Sequence, residues 1–401
     1  MRITEVETIP VGTPAPHKGG SNWLFVKLVT DDGLVGWGEP TKTDYRLETL
    51  RAAYEEFAEQ FLIGFDPFDV EQLRWDLYRG AHDFHAPGNV QGQLFAGAEM
   101  ACWDIVGKAV GEPIYRLLGG QYNDRLRSYT YLHYKWEPPQ PPEKAAEAAR
   151  EYVDMGFTGL KLDPLHPIAG PRPVSLEELQ YGEDVVAAIR REVGDACDIL
   201  LGTHGQLDTQ TARRFANRIE EYDPLWFEEP VPPENVSEMA RVAESTSIPI
   251  ATGERISTKH QFSTIIESGA AGIIQPDTGL TGILQAKKIA GMAEAHYIPV
   301  APWHYCGPIQ GAANIQLDVC TPNFLIQESI EDWEFFHNEL LKDPLEWNDG
   351  DIIPPSDPGL GVELDESVAE QHPPNETTHH ADRSHYSIEA NRRYIEEHID
   401  Q

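Results

Sequence analysis

The sequence predicts a parallel (β/α) barrel preceded by an α+β unit. Three observations point there. From about residue 126, short apolar runs alternate with amphipathic helices, about 25 residues per pair. Polar residues sit on or just after the ends of these runs. Residues 1 to about 120 lack this rhythm and read as antiparallel strand plus helix.

In the first unit, Leu24 to Val29 is a strand, Asp32-Gly33 a hairpin turn, and Leu34 to Glu39 the returning strand. Helices are expected near 45–62 and near 91–110. In the second, Ala98, Cys102, Ile105 and Ala109 recur at helical spacing, and Gly111 is a stop signal. The barrel runs are 159–162, 199–202, 225–228, 250–254, 273–277, 298–302 and 324–328. Phe215 with Ile219, Phe262 with Ile265 and Ile266, and Ile289 with Met292 and Ala293 mark the helical faces between them. The expected division is 1–125, a cap; 126–330, the barrel; and 331–401, a Pro-, Gly- and acid-rich segment returning to the cap, then a polar tail with His372, His379, His380 and His385.

Composition narrows the function. With 31 Lys plus Arg against 66 Asp plus Glu, the net charge is −35. Such a surface repels nucleic acid and anionic membranes. The acids are spread along the chain, as in proteins adapted to high salt, where the Debye length falls to roughly 3 Å. No run reaches the roughly 20 apolar residues of a membrane span, and the N-terminus lacks a signal-peptide pattern, so a cytoplasmic protein is expected. Cys102, Cys197, Cys306 and Cys320 fit no metal or redox spacing and are expected as buried thiols.

The polar residues ending the runs are Lys161 and Asp163, His204, Glu228 and Glu229, Glu254, Asp277, His304 and Glu328. In a (β/α) barrel the C-terminal strand ends carry the active site. Glu228, Glu254 and Asp277 are spaced by 26 and 23 residues, about one strand–helix unit each. Carboxylates gathered on one rim repel unless a cation sits among them, and oxygen ligands favour a hard ion such as Mg²⁺.

Phe227-Glu228-Glu229-Pro230, Gly253-Glu254-Arg255, Gln275-Pro276-Asp277 and Ile326-Gln327-Glu328 resemble the enolase superfamily, mandelate racemase subgroup, and most of all its galactonate-type sugar-acid dehydratases. Gly36-Trp37-Gly38-Glu39, Trp103-Asp104-Ile105, Leu117 to Gly120 and Pro358 to Val362 extend the resemblance over nearly the whole chain. It implies an enolase-type barrel with a capping domain completed by the C-terminal segment. It also implies a small-molecule carboxylate substrate and a homo-oligomer. Glu228 and Glu254 match metal ligands. Asp277 matches the Asp of an Asp–His pair, Glu328 a carboxylate near the substrate, and Lys161 the first position of a Lys-x-Lys motif with Asp163 at the second. His204 matches the acid that helps hydroxide leave. Cap segments 16–21 and 82–85 would close over the substrate.

Two positions depart from the pattern. The residue two before His204, an Asp ligand in the family, is Gly202, and Trp303 intervenes between Ala301-Pro302 and His304. Residues i and i+2 of a strand share a face, so His204 is expected to replace the missing ligand, which would favour Mn²⁺ somewhat. The other readings are a water in the gap, with His204 kept as acid, or a carboxylate from elsewhere. The expected reaction is removal of the proton α to a carboxylate and loss of the β-hydroxyl, with His304 as base and Lys161 the other candidate. An isomerase (racemase, epimerase or lactone cycloisomerase) and a catalytically weak binding protein are the alternatives.

Overall fold

The computed structural model describes residues 1–43, 46–79, 88–132, 140–165 and 173–376. The cap segment 82–85 and the tail residues His379, His380 and His385 lie outside them. By its internal contacts the chain divides into two units. Of the described residues, unit 1 takes those within 1–127, 253–261 and 276–376, and unit 2 those within 128–252 and 262–275.

Unit 1 opens with three antiparallel strands, β1 (Ile3–Gly12), β2 (Asn22–Thr30) and β3 (Val35–Gly38), paired in that order. The predicted hairpin is the β2–β3 turn; β1 was not anticipated. The helix Asn89–Val110 ends at Gly111, whose φ of 75° suits a residue without a side chain. It lies so close to β3 that a Cβ on Gly38 would overlap the Gly97 carbonyl. Buried Asp104 on this helix accepts the Trp37 N–H at 3.0 Å, the Leu360 N–H at 2.8 Å and Lys108 Nζ at 2.7 Å. One carboxylate thus ties the sheet, the helix and the C-terminal segment together. Trp37 Nε1 also donates to Glu363 at 2.9 Å, on that same segment.

Unit 2 carries the parallel sheet. Its strands are β4 (Leu126–Tyr131), β5 (Gly159–Leu162), β6 (Asp198–Gly202), β7 (Trp226–Glu228), β8 (Ile250–Thr252) and β9 (Ile273–Ile274), each parallel to the next. Helices Pro142–Met155, Leu176–Val193, Thr209–Ile219, Val236–Ala243 and Lys259–Glu267 fill the connections. Ser175 and Glu178 form a capping box at the second, and Asp208 caps the third. Phe215 turns inward and meets Phe227 of β7 edge-on, ring centroids 5.9 Å apart. The interior strands are buried along their lengths, as a sheet covered on both faces requires.

Two expected strands, both in unit 1, differ. Run 298–302 contributes only an isolated bridge, Val300 to Phe324, because Pro299 and Pro302 lack the N–H a ladder needs. Run 324–328 becomes the strand Gln327–Ser329. All four cysteines are buried thiols. Among the described residues, no helix is long and apolar enough to cross a membrane.

Candidate active site

Unit 2 brings Lys161, Asp163, His204, Glu228 and Glu229 to the ends of β5, β6 and β7. Lys161 is 1 % exposed, and its Nζ lies 2.5 Å from Glu228 Oε1. A buried ammonium is stable only against an anion. Glu228 Oε2 accepts from Trp226 Nε1 at 3.1 Å and Gln275 Nε2 at 2.8 Å. Both carboxylate oxygens therefore already have donors. Glu229 accepts from Thr252 Oγ1 at 3.1 Å.

The loop after β6 is anchored to β7. Gly205 N–H and Thr203 Oγ1 donate to the Glu229 carbonyl at 2.7 and 3.1 Å. Between them His204 has φ 50° and a side chain 36 % exposed. Its Nδ1 lies 2.7 Å from Asp163 Oδ2. Asp163 Oδ1 is buried and has no hydrogen-bond partner among the described residues.

Unit 1 brings together Glu254, Asp277, His304 and Glu328. Glu254 sits in the turn after β8, with Arg255 Nη2 3.0 Å from its carboxylate. Lys42 Nζ, unforeseen from the sequence, donates to the Glu254 carbonyl at 2.6 Å. It also lies 4.0 Å from Asp277 Oδ2 and 4.6 Å above the Trp303 ring. Burial pushes the Asp277 carboxyl up to about 7. Its Oδ1 accepts the Gly279 N–H at 2.8 Å.

The expected Asp277–His304 pair is not direct, because Gln310 stands between the two. Its Nε2 donates to Asp277 Oδ1 at 3.3 Å, and its Oε1 faces His304 Nδ1. Trp303 adds one residue before the histidine, and its carbonyl also accepts from Gln310 Nε2, at 3.3 Å. The backbone N–H of Gln310 is fixed in turn by Glu39 Oε2 at 2.9 Å. Burial raises that carboxyl to about 8. His304 is fully buried and stacks on Trp333 at 5.0 Å, and burial lowers its ring to about 4. Its Nε2 is buried and has no hydrogen-bond partner among the described residues. Glu328 accepts the His304 N–H at 2.9 Å, so here it shapes the wall. Glu39 belongs to the Gly-Trp-Gly-Glu motif, the one sequence signal for it. Gln310 and Lys42 carried none.

A divalent ion needs several such donors gathered together. Among the described residues, no group of three or more His, Cys, Asp or Glu side chains is gathered to hold one. Within unit 2, Glu228 accepts from Lys161, Trp226 and Gln275, and His204 turns to Asp163.

Residues 144–368 match the enolase C-terminal domain-like model, and residues 2–119 the N-terminal domain model of mandelate racemase and muconate lactonizing enzyme. This chain belongs to the mandelate racemase/muconate lactonizing enzyme family of the enolase superfamily. Its relatives include a D-galactonate dehydratase from Pectobacterium atrosepticum, 33 % identical over 92 % of this chain and 93 % of that one. Another, from Variovorax paradoxus, is 35 % identical over 96 % and 99 %. A solved mandelate racemase/muconate lactonizing enzyme from a Sulfitobacter species superposes with a TM-score of 0.89, at 41 % identity over 94 % and 96 % of the two chains. One assigned to the same family, from Labrenzia alexandrii, gives 0.91 at 46 % over 94 % and 97 %. The (β/α) barrel with an α+β capping domain is thus the fold of this family member.

Proposed function

We propose that this chain is a carbon–oxygen lyase that dehydrates a sugar acid, with an aldonic acid such as galactonate as the first substrate to test. The supporting observation is that its two strand-end histidines stand in opposite settings. His304 is buried and neutral, with Nδ1 on an amide oxygen and Nε2 without a partner among the described residues. That is a base waiting for a proton. His204 is accessible and backed by a carboxylate, a setting that stabilises an imidazolium and suits an acid.

His304 Nε2 takes the proton α to the carboxylate. The Lys161 ammonium, buried beside Glu228, stabilises the negative charge that develops. His204 protonates the β-hydroxyl as it leaves as water, and the resulting enol becomes a 2-keto-3-deoxy acid. The homologous dehydratases support the overall reaction. Mg²⁺ dependence, which the family resemblance implies, is a separate question for chelator treatment.

The test is incubation with galactonate and a panel of aldonic and aldaric acids in deuterated water. A 2-keto product is expected from at least one acid. Deuterium at Cα without a keto product would replace the lyase by an isomerase, and no change with any acid would remove the enzymatic reading. The acidic surface adds an expectation: the melting temperature rises from dilute buffer to molar KCl, and a flat response rejects adaptation to salt.

A further inference from the structure

Two sequence departures meet in space. Lys161 pairs with Leu200 and Leu162 with Leu201 across β5 and β6. One step further along, Asp163 lies beside Gly202. A Cβ built on Gly202 would sit 2.7 Å from Asp163 Oδ1, closer than real Cβ atoms approach, while its next neighbour, Lys161 Cε, is at an ordinary 3.5 Å. Gly202 does not have a positive φ, so its backbone tolerates a side chain. What a side chain here would have to displace is the end of the Asp163 side chain, its carboxylate. We infer that Asp163 occupies the room a side chain at 202 would take, and from there acts as the positioning residue for His204.

The chemistry follows from the contact. A carboxylate only accepts hydrogen bonds, so His204 Nδ1 must be the donor across the 2.7 Å separation. In the neutral ring this leaves Nε2 with the lone pair. The tautomer and the ring plane are both fixed, on a loop already tied to the Glu229 carbonyl. The position has exchanged roles: where the resemblance expects a carboxylate on β6, the chain places one from the end of β5 and gives it a histidine to hold. The consequence for turnover rests on the acid role proposed above; the geometry does not.

The experiment reads the ring directly. In full-length protein with ¹⁵N-labelled histidine, the His204 signals are assigned by their loss in His204→Gln. Under conditions where the ring is neutral, the Nδ1–H tautomer is expected in the native chain. Asp163→Ala should abolish that preference. Gly202→Ala should do the same with Asp163 still present, because the new Cβ displaces the carboxylate. In the Asp163→Ala background, Gly202→Ala should add nothing, the non-additivity expected of residues in contact. If Asp163→Ala does not fold, Gly202→Ala carries the test alone. An Nε2–H tautomer in the native chain, or an Nδ1–H signal that survives either substitution, would overturn the inference. None of this needs a substrate, so it can fail or succeed independently of the proposed reaction. On a substrate from the acid panel, Asp163→Ala should lower kcat about 10²-fold with KM little changed.

Discussion

His204 and His304 each hold Nδ1 against a partner, yet the two surroundings prepare the rings for opposite tasks. His204 is more than a third exposed, on a loop, against an Asp carboxylate. His304 is fully buried, stacked on Trp333 and bonded to a neutral Gln310 amide. The first setting places an anion beside the ring, and burial in the second keeps the ring neutral. A histidine's role is therefore read from what surrounds the ring, not from its place in a motif. The nearby charges follow the same division. Lys161 and Glu228 are buried together as an ion pair, whereas Asp277 reaches His304 only through an amide.

The largest expected effect tests the buried pair that supports the accessible histidine's end of the sheet. Lys161→Met leaves the Glu228 carboxylate without its cation at a side-chain exposure of 4 %. Removing one partner of such a pair costs about 3–5 kcal/mol. Urea unfolding should show this, and a loss below about 1 kcal/mol would mean the pair is solvated.

The next effect separates the two histidines by pH. Burial holds the His304 ring near 4, against an ordinary value of about 6.5. The unfolded chain thus takes a proton that the native ring refuses. The stabilisation is complete above about pH 6.5 and is lost as pH falls from 6.5 toward 4. The gap corresponds to about 3 kcal/mol. His337, lowered to about 3 by burial and then by His304, adds its own share over the same range. Unfolding midpoints at several pH values should show a shallower acid loss in His304→Gln, which keeps the His337 share. An unchanged slope would show that His304 is not buried neutral.

Much of this was legible in the sequence. Strand runs and the residues ending them could be placed because a buried parallel strand is a short apolar run and its last side chain faces the site. Lys161, Glu228, Glu254, Asp277 and Glu328 could be picked out for that reason. What could not be read is which residues come between them. Gln310 follows His304 by only six positions, but its bridging role depends on where the helix Pro308–Val319 begins relative to Asp277. Lys42 comes from the first unit's loop, more than 200 residues before Glu254. Asp163 and Gly202 were both visible as departures, but only strand register shows that one fills the other's place.

The smallest expected effect bears on His204, expected from the sequence as a metal ligand. An Asp–His contact this exposed contributes about 0–1 kcal/mol, so His204→Asn should leave urea stability nearly unchanged, in contrast to Lys161→Met. The same variant tests ligation. A ring nitrogen committed to Asp163 is oriented by that carboxylate, and among the described residues no three-ligand group is gathered. Binding of Mn²⁺ to the full chain, followed by electron paramagnetic resonance, should therefore be the same in the native protein and in His204→Asn. A loss of about tenfold in affinity, equivalent to about 1.4 kcal/mol, would restore His204 as a ligand. It would also mean that the ring leaves Asp163 when metal is present, and the contrast between the two histidines would then hold only for the metal-free chain.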